Sequence, residues 1–149
     1  MREGDEVIDI RYVCETDELF WFSLDAHLSY NEFALKIRDK RGYVIWLDGN
    51  PIGVMRYNLF WDNTPFLTLI YIEEAHQGKG YGKEAMLFWE SEMRELGYKM
   101  VMTSTQADEQ AQHFYRKLGY CDKGCLNLDN TPFEQPQEIL MIKVLNSCE

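Results

Sequence analysis

The spacing of apolar residues divides the first part of the chain into predicted elements. Alternation over residues 7–13 indicates a first strand. Helical spacing follows, from a predicted start at Thr16 to a predicted stop at Arg41-Gly42, and a break near residues 29–31 divides it into two helices. The chain is therefore predicted to open with one strand and two helices.

Three strands are predicted next, separated by turn sequences. The stretch YVIWLDGNPIGVMRYNLFW, residues 43–61, has the pattern of a hairpin that turns at Asp48–Pro51. The sequence DNTP at residues 62–65 indicates a second turn. The run FLTLIYI at residues 66–72 is largely apolar, which is typical of a strand in the middle of a sheet.

The second half of the chain predicts two strand–helix alternations and two final strands. A long amphipathic helix ends at Gly97, the strand KMVMTST follows, and DEQAQHFYRKLGY predicts a helix with Asp108 as its N-cap and Gly119 at its end. The segments YCDKGCLNL and EILMIKVL indicate the last two strands. This order predicts a mixed α/β sheet, and 149 residues suit a single domain over residues 1–149.

Charge narrows the class of partner. The chain has 25 acidic and 15 basic side chains, for a formal net charge of −10. Nucleic acid is not an expected partner, because a phosphate backbone needs a basic face. An acidic surface concentrates cations and so mildly favours a cationic substrate, although acidity can also serve solubility alone.

The cysteines and the hydropathy bear on the compartment. Cys14, Cys121, Cys125 and Cys148 lack common zinc spacings, and the opening MREGDEVIDIRYV lacks the basic and apolar regions of a signal peptide. No apolar run reaches the roughly 18 residues of a membrane span. We therefore expect reduced thiols, a cytoplasmic protein, no metal and no membrane partner. A sheet edge without a partner strand could also pair with a second copy of the chain, so a homodimer is an alternative to a monomer.

Three glycines at alternate positions, Gly78, Gly80 and Gly82, lie between the predicted central strand and the next helix. The first amides of a helix lack helical partners, and the helix dipole adds about half a positive charge there. Glycines let an anion approach the backbone, so the junction favours a phosphate or pyrophosphate. The spacing fits neither GxxxxGK[ST] nor GxGxxG. A turn that binds nothing, or one that binds another nucleotide, stays an alternative.

Two segments of the chain together resemble a known family. The segment from Gln77 to Gly82, QGKGYG, resembles the Q/R-x-x-G-x-G/A signature of the GNAT superfamily of acyl-CoA-dependent N-acyltransferases. AQHFYRKLGY, residues 111–120, is similar to its second signature, and the hairpin and element order also match. The resemblance covers residues 43–145 well and residues 1–40 loosely. It implies a GNAT-like α/β fold, with a mostly antiparallel sheet of about six to seven strands and about four helices.

The resemblance implies that the glycine turn holds the pyrophosphate of acetyl-CoA. The main-chain amides of residues 78–82, including that of Tyr81, would bind the phosphates, and Gln77 would line the loop. Lys79 and Lys83 would help neutralise the phosphate charge, unless they are simply solvated surface lysines.

The resemblance also implies a place for the thioester. Ile70, Tyr71 and Ile72 would run beside the pantetheine arm, with the N–H of Ile72 facing the thioester oxygen. Tyr115 would protonate the departing thiolate. Asp108 stands where the family often has asparagine. The resemblance implies that it contacts the cofactor, although aspartate has no amide N–H to donate.

Acyl transfer to an amine also needs a base, because only the neutral amine attacks. Glu73 and Glu74 directly follow the central strand, and His76 lies next to the glycine turn. Each is a candidate base or a solvated surface residue, and Glu73 is the one we assign. For a cationic acceptor, Asp25, Asp62 or Glu134 would supply a counter-charge beside an aromatic wall.

The predicted function is transfer of an acetyl group from the cosubstrate acetyl-CoA to a primary amine of a small molecule or peptide. Direct attack needs no covalent enzyme intermediate, because holding both reactants together lowers the barrier. A catalytically silent acyl-CoA-binding module of the same fold is the alternative.

Overall fold

The strands of this protein form one seven-stranded sheet in a computed structural model that describes residues 7–146. The order across the sheet is β1-β2-β3-β4-β5-β7-β6. The β4–β5 pair is parallel, and the β1–β2, β2–β3, β5–β7 and β6–β7 pairs are antiparallel. The strands are β1 Ile8–Tyr12, β2 Gly42–Leu47, β3 Asn50–Phe60, β4 Thr64–Ile72, β5 Met100–Gln106, β6 Cys121–Leu126 and β7 Glu138–Val144.

Four helices accompany this sheet in the part of the chain that the structure describes. They are α1 Glu18–Leu24, α2 Tyr30–Asp39, α3 Tyr81–Glu95 and α4 Ala111–Lys117. The predicted α/β class, the mostly antiparallel sheet and the central place of β4 are thereby confirmed.

Contacts group the described residues into two compact units. One unit contains residues 7–57 and 69–89, and the other contains residues 58–68 and 90–146. Both β4 and α3 contribute residues to each unit.

The core of the first unit is built from β2, β3, the two short helices and Val13, which follows β1. Its fully buried members include Trp21 and Phe33, whose rings lie 5.6 Å apart. The break between the helices falls before Ser29, whose hydroxyl caps α2 by accepting the N–H of Glu32 at 3.2 Å. The predicted division into two helices is confirmed.

The end of α2 differs from the prediction. The helix stops at Lys40, which takes the left-handed conformation at φ 56°, and not at Arg41-Gly42. Gly42 belongs to β2, where an added Cβ would approach Val13 Cγ1 to 2.9 Å. That glycine therefore permits close packing, while a lysine forms the helix end.

One of the two predicted turns lies where it was predicted, and the other lies earlier in the chain. The hairpin between β2 and β3 turns at Asp48 and Gly49, with φ values of 50° and 80°, as predicted. The next turn is centred on Trp61 and Asp62, with φ values of 54° and 62°. It lies earlier than the predicted DNTP turn, since Thr64 already belongs to β4.

A buried ionic network stabilises the second unit. Glu90 is 1% exposed and accepts from the Tyr120 hydroxyl at 2.9 Å and from Lys143 Nζ at 2.7 Å. A buried carboxylate is tolerated when such donors satisfy it. The network joins α3, the residue before β6, and β7.

Candidate active site

The last peptide groups of β4 are oriented by β3. The N–H of Glu73 donates to the carbonyl of Ile52 at 2.8 Å. The carbonyl oxygen of Tyr71 lies against Gly53, where an added Cβ would approach it to 2.8 Å. Main-chain groups of successive strand residues point to opposite edges of the strand. The N–H and C=O of Ile72 therefore point away from β3.

Gln77 binds this outward-facing end of β4. A 3₁₀ turn over Glu74–His76 brings the chain back, and Nε2 of Gln77 donates to the carbonyl of Ile72 at 2.8 Å. The main-chain N–H of Gln77 donates to the carbonyl of Glu74 at 3.2 Å. The side chain predicted to line the loop therefore connects the loop to the strand.

The glycine turn presents main-chain donors. Gly78 and Gly80 have φ values of 77° and 88°, a conformation that side chains with a Cβ rarely adopt. An added Cβ at either residue would meet no atom of the described residues within 4 Å, so the space beside the turn is open. Among the described residues, the main-chain N–H groups of Gly78, Lys79 and Gly80 have no protein acceptor.

The start of α3 extends this row of donors. Its first helical bond runs from the N–H of Glu84 to the carbonyl of Gly80 at 3.1 Å, so the amides of Gly82 and Lys83 have no partner in the helix. Tyr81 is 6% exposed and anchors the helix start, whereas Lys79 and Lys83 are exposed. The strand, turn and helix predicted around the glycines are confirmed, and the arrangement has the donors and positive dipole that suit an anion.

Tyr115 lies in α4 and is 7% exposed. Burial raises the pKa of its phenol above the usual 10.0, the nearby Thr103 side chain partly offsets this, and the charge of Glu109 adds to it. The Thr103 hydroxyl donates to the carbonyl of Leu67 at 3.0 Å. The phenol therefore keeps its proton throughout the neutral range and can act as a donor. The sequence analysis missed Thr103, for which the polar position inside KMVMTST is the only local signal.

The start of α4 corrects the predicted role of Asp108. The helix begins at Ala111, and Asp108 lies in a turn before it, so Asp108 is not the N-cap. The side-chain amide of Gln112 donates to the carbonyls of Ala107 at 2.9 Å and Glu109 at 2.8 Å. These bonds stabilise a turn in this segment, and the helix begins only after it. The cofactor contact assigned to Asp108 remains a prediction.

The candidate bases lie directly after β4. Oε1 of Glu73 is 3.1 Å from Nδ1 of His76, and the side chains are 36% and 28% exposed, respectively. The distance suits an ion pair when the imidazole is protonated, but Nδ1 makes no hydrogen bond in the described part of the chain. Glu74 is exposed. The structure therefore brings Glu73 and His76 together, with Glu73 open to solvent.

One predicted counter-charge for an amine is already neutralised. Asp25 is 2% exposed and accepts from Nε of Arg56 at 2.8 Å and from the indole N–H of Trp21 at 3.2 Å. This pairing removes Asp25 from the candidates for binding a cation. Asp62 and Glu134 are both exposed.

Within residues 7–146, no three His, Cys, Asp or Glu side chains are grouped so as to hold a metal ion. None of the helices in that range has the length and apolar character needed to cross a bilayer. Cys14, Cys121 and Cys125 are exposed free thiols, while Cys148 and residues 1–6 lie outside the described part.

The chain belongs to the acetyltransferase (GNAT) family, whose sequence model matches residues 6–120. The family assignment made from the glycine turn and the second signature is thereby confirmed. One similar protein is the uncharacterized N-acetyltransferase YbbJ of Bacillus subtilis strain 168, which is 30% identical over 105 residues. That match covers 61% of this chain and 64% of YbbJ, so the chain spans slightly under two thirds of that relative's length.

Solved structures show the same fold. Ard1 from Thermoplasma volcanium has a TM-score of 0.81 at 16% identity, covering 94% of this chain and 99% of that protein. The ribosomal-protein-S18-alanine N-acetyltransferase of Escherichia coli has a TM-score of 0.78 at 16% identity, with coverages of 96% and 97%. Spermidine/spermine N-acetyltransferase SpeG of Vibrio cholerae has a TM-score of 0.76 at 18% identity, with coverages of 93% and 92%.

Proposed function

We propose that this protein is an N-acetyltransferase that moves the acetyl group of acetyl-CoA to a primary amine. The observation that carries the proposal is the row of main-chain donors from Gly78 to Gly80, which has no protein acceptor among the described residues and leads into α3. Membership of the GNAT family supports acetyl-CoA as the cosubstrate. The diphosphate of the coenzyme is an anion that suits these donors and the helix dipole.

The coenzyme is proposed to lie along the end of β4. Gly78, Gly80 and Gly82 hold the diphosphate through their amides, and Ile70, Tyr71 and Ile72 run beside the pantetheine arm. The Ile72 N–H, which points away from β3, donates to the thioester oxygen as negative charge develops on it. A backbone donor suits this task, because its position is set before the reaction starts.

Two side chains are proposed to move protons. Glu73 accepts a proton from the ammonium form of the substrate, directly or through a water molecule, and the neutral amine then attacks the thioester carbon. Tyr115 donates a hydrogen bond and then a proton to the departing thiolate. Its raised pKa keeps the donor protonated at neutral pH, so loss of activity from phenol ionisation is expected only at a more alkaline pH than for an ordinary tyrosine.

The substrate is proposed to be a cationic amine on a small molecule or a peptide. The net charge of −10 supports a cation, since an acidic surface concentrates positive ligands. The solved structures that share the fold include one protein named for an alanine of ribosomal protein S18 and one named for spermidine and spermine. We further propose one cytoplasmic domain over residues 1–149 that acts without metal or nucleic acid and can pair as a homodimer.

Acetyl-CoA consumption across a panel of amines tests the proposal. The panel contains polyamines, aminoglycosides, amino acids and peptides with free N-termini, and neutral or anionic acceptors serve as the comparison. We expect turnover with at least one cationic amine. Binding of acetyl-CoA without turnover on any amine would instead identify a silent acyl-CoA-binding module.

Replacement of Tyr115 tests the assignment of the proton donor. Tyr115→Phe is expected to lower kcat about 100-fold, within the usual range for loss of a general acid, and to leave the Kd for CoA within about threefold. Tyr120→Phe is the matched control, because it also removes a buried phenol hydroxyl, here the one bonded to Glu90. It is expected to lower stability with little change in kcat. Equal kcat values for the two variants would contradict the role of Tyr115.

A further inference from the structure

We infer that Gln77 is a positioning residue that sets the distance between the phosphate-binding turn and the oxyanion donor. The inference rests on the proposed function, since it concerns the same turn and the same strand end. It assigns Gln77 a role toward the protein's own backbone, beyond lining the coenzyme loop.

The peptide group between Ile72 and Glu73 is held at both of its polar atoms. Its N–H, on Glu73, donates to the carbonyl of Ile52 at 2.8 Å. Its carbonyl, on Ile72, accepts from Nε2 of Gln77 at 2.8 Å. The first bond connects this peptide group to the neighbouring strand β3. The second bond comes from a single side chain and not from another strand.

Gln77 is also joined directly to the glycine turn by a peptide bond. Gln77 directly precedes Gly78, and its own N–H is held by the carbonyl of Glu74 at 3.2 Å. The side chain of Gln77 is therefore bonded to the last residue of β4, five positions earlier, and its main chain is bonded to Glu74 in the 3₁₀ turn. Loss of the side-chain bond would leave the segment between β4 and the glycine turn held by main-chain bonds alone, from His76 to Glu73 at 2.9 Å and from Gln77 to Glu74 at 3.2 Å.

This placement matters because two parts of one coenzyme must be bound at once. The turn is proposed to hold the diphosphate, and the N–H of Ile72 is proposed to hold the thioester oxygen. A displacement of about 1 Å can lower a rate about 100-fold when the reacting groups must be aligned. Gln77 therefore affects the chemical step more than coenzyme affinity, without touching the reacting atoms.

Gln77→Met tests the side-chain bond. Methionine keeps the length of glutamine, removes the donor and adds no charge. We expect kcat to fall about tenfold while the Kd for CoA stays within about threefold. Gln77→Arg returns an N–H donor on a long side chain and is expected to recover most of kcat. Gln137→Met is the matched control, because Gln137 is exposed and, within residues 7–146, only its main-chain carbonyl is bonded, to the N–H of Ala107.

Amide hydrogen exchange gives a readout that does not depend on activity. In Gln77→Met, exchange of the Glu73 amide should accelerate at least about tenfold, because the peptide that carries it loses one of its two bonds. Exchange at that site should stay at the wild-type rate in Gln137→Met.

The outcomes separate this inference from the proposed function. If the wild-type protein acetylates no amine, the proposed function fails, and the rate role of Gln77 fails with it, while unchanged exchange in Gln77→Met would overturn the anchoring as well. If the enzyme is active, three results overturn the inference: a wild-type kcat in Gln77→Met, an equal loss of CoA affinity, or no recovery in Gln77→Arg.

Discussion

The glycines before α3 and those after α3 and α4 share one backbone conformation but differ in what their amides do. Gly97 and Gly119, at φ 94° and 99°, follow the helices. Their N–H groups donate to Arg94 at 2.9 Å and to Arg116 at 3.0 Å, which closes the end of each helix. At Gly80, with φ 88°, the N–H finds no protein acceptor among the described residues.

This difference shows that a left-handed glycine does not by itself indicate a binding site. At both helix ends the hydrogen bonds are completed within the protein, since the residue after each glycine also donates back, Tyr98 to Met93 at 3.1 Å and Tyr120 to Tyr115 at 3.0 Å. Before α3 the donors remain open to an outside acceptor. The partner of each amide, and not the glycine conformation, distinguishes a structural turn from a candidate ligand-binding turn.

The largest expected effect comes from Gly80→Val. A branched side chain at φ 88° forces the turn into another conformation and occupies the open space beside it. We expect the Kd for acetyl-CoA to rise at least about 100-fold, as measured by calorimetric titration. Acetyl-CoA at 100 times the wild-type Kd should then stabilise the wild type by about 2.7 kcal/mol and the variant by only about 0.4 kcal/mol. Unchanged affinity would remove the turn from the binding site.

Gly97→Val introduces the same backbone conflict where no ligand is proposed to bind. We expect the free energy of unfolding to fall by about 1–2 kcal/mol, because the left-handed conformation disfavours a side chain there. Urea denaturation measures this change. The gain in stability on adding acetyl-CoA should equal that of the wild type. A loss of that gain would mean that the turn at Gly97 also affects coenzyme binding, which would contradict the distinction between the two turns.

Gly119→Ala should lower the free energy of unfolding by about 1 kcal/mol. The added Cβ also comes within 3.4 Å of Cε of Lys143, whose Nζ pairs with buried Glu90 at 2.7 Å. Gly124→Ala is the control, because its Cβ meets only Leu140 Cδ1 at 4.0 Å and its φ is not left-handed. Urea denaturation of both variants is the measurement, and equal stabilities would contradict the strain assigned to Gly119.

The smallest effect is expected from the lysines of the glycine turn. The double variant Lys79→Met/Lys83→Met should raise the Kd for acetyl-CoA about threefold at low salt, with the difference shrinking as KCl screens the charges. Titrations over a range of KCl concentrations measure this, and Lys99→Met, at another exposed lysine, is the control. A salt-independent change would indicate contact other than charge.

Local patterns predicted the elements that end at a turn residue. Gly97 and Gly119 were predicted as helix ends and occupy those positions, because glycine is the residue that best tolerates the left-handed conformation. The prediction failed where another residue did the same task. Lys40 ends α2 at φ 56°, and Gln112 holds open the turn that contains Asp108. Neither residue type indicates such a role by itself.

By itself, the sequence determined the order of elements, the glycine turn and the family, since these depend on residues close together in the chain. Only the tertiary structure decided that Asp25 pairs with Arg56, that Thr103 bonds Leu67, and that Gln77 binds the outward-facing carbonyl of Ile72. Asp25 and Thr103 find partners more than 30 positions away. The packing of strands and helices brings such partners together, and the sequence pattern around each residue does not indicate which partner that will be.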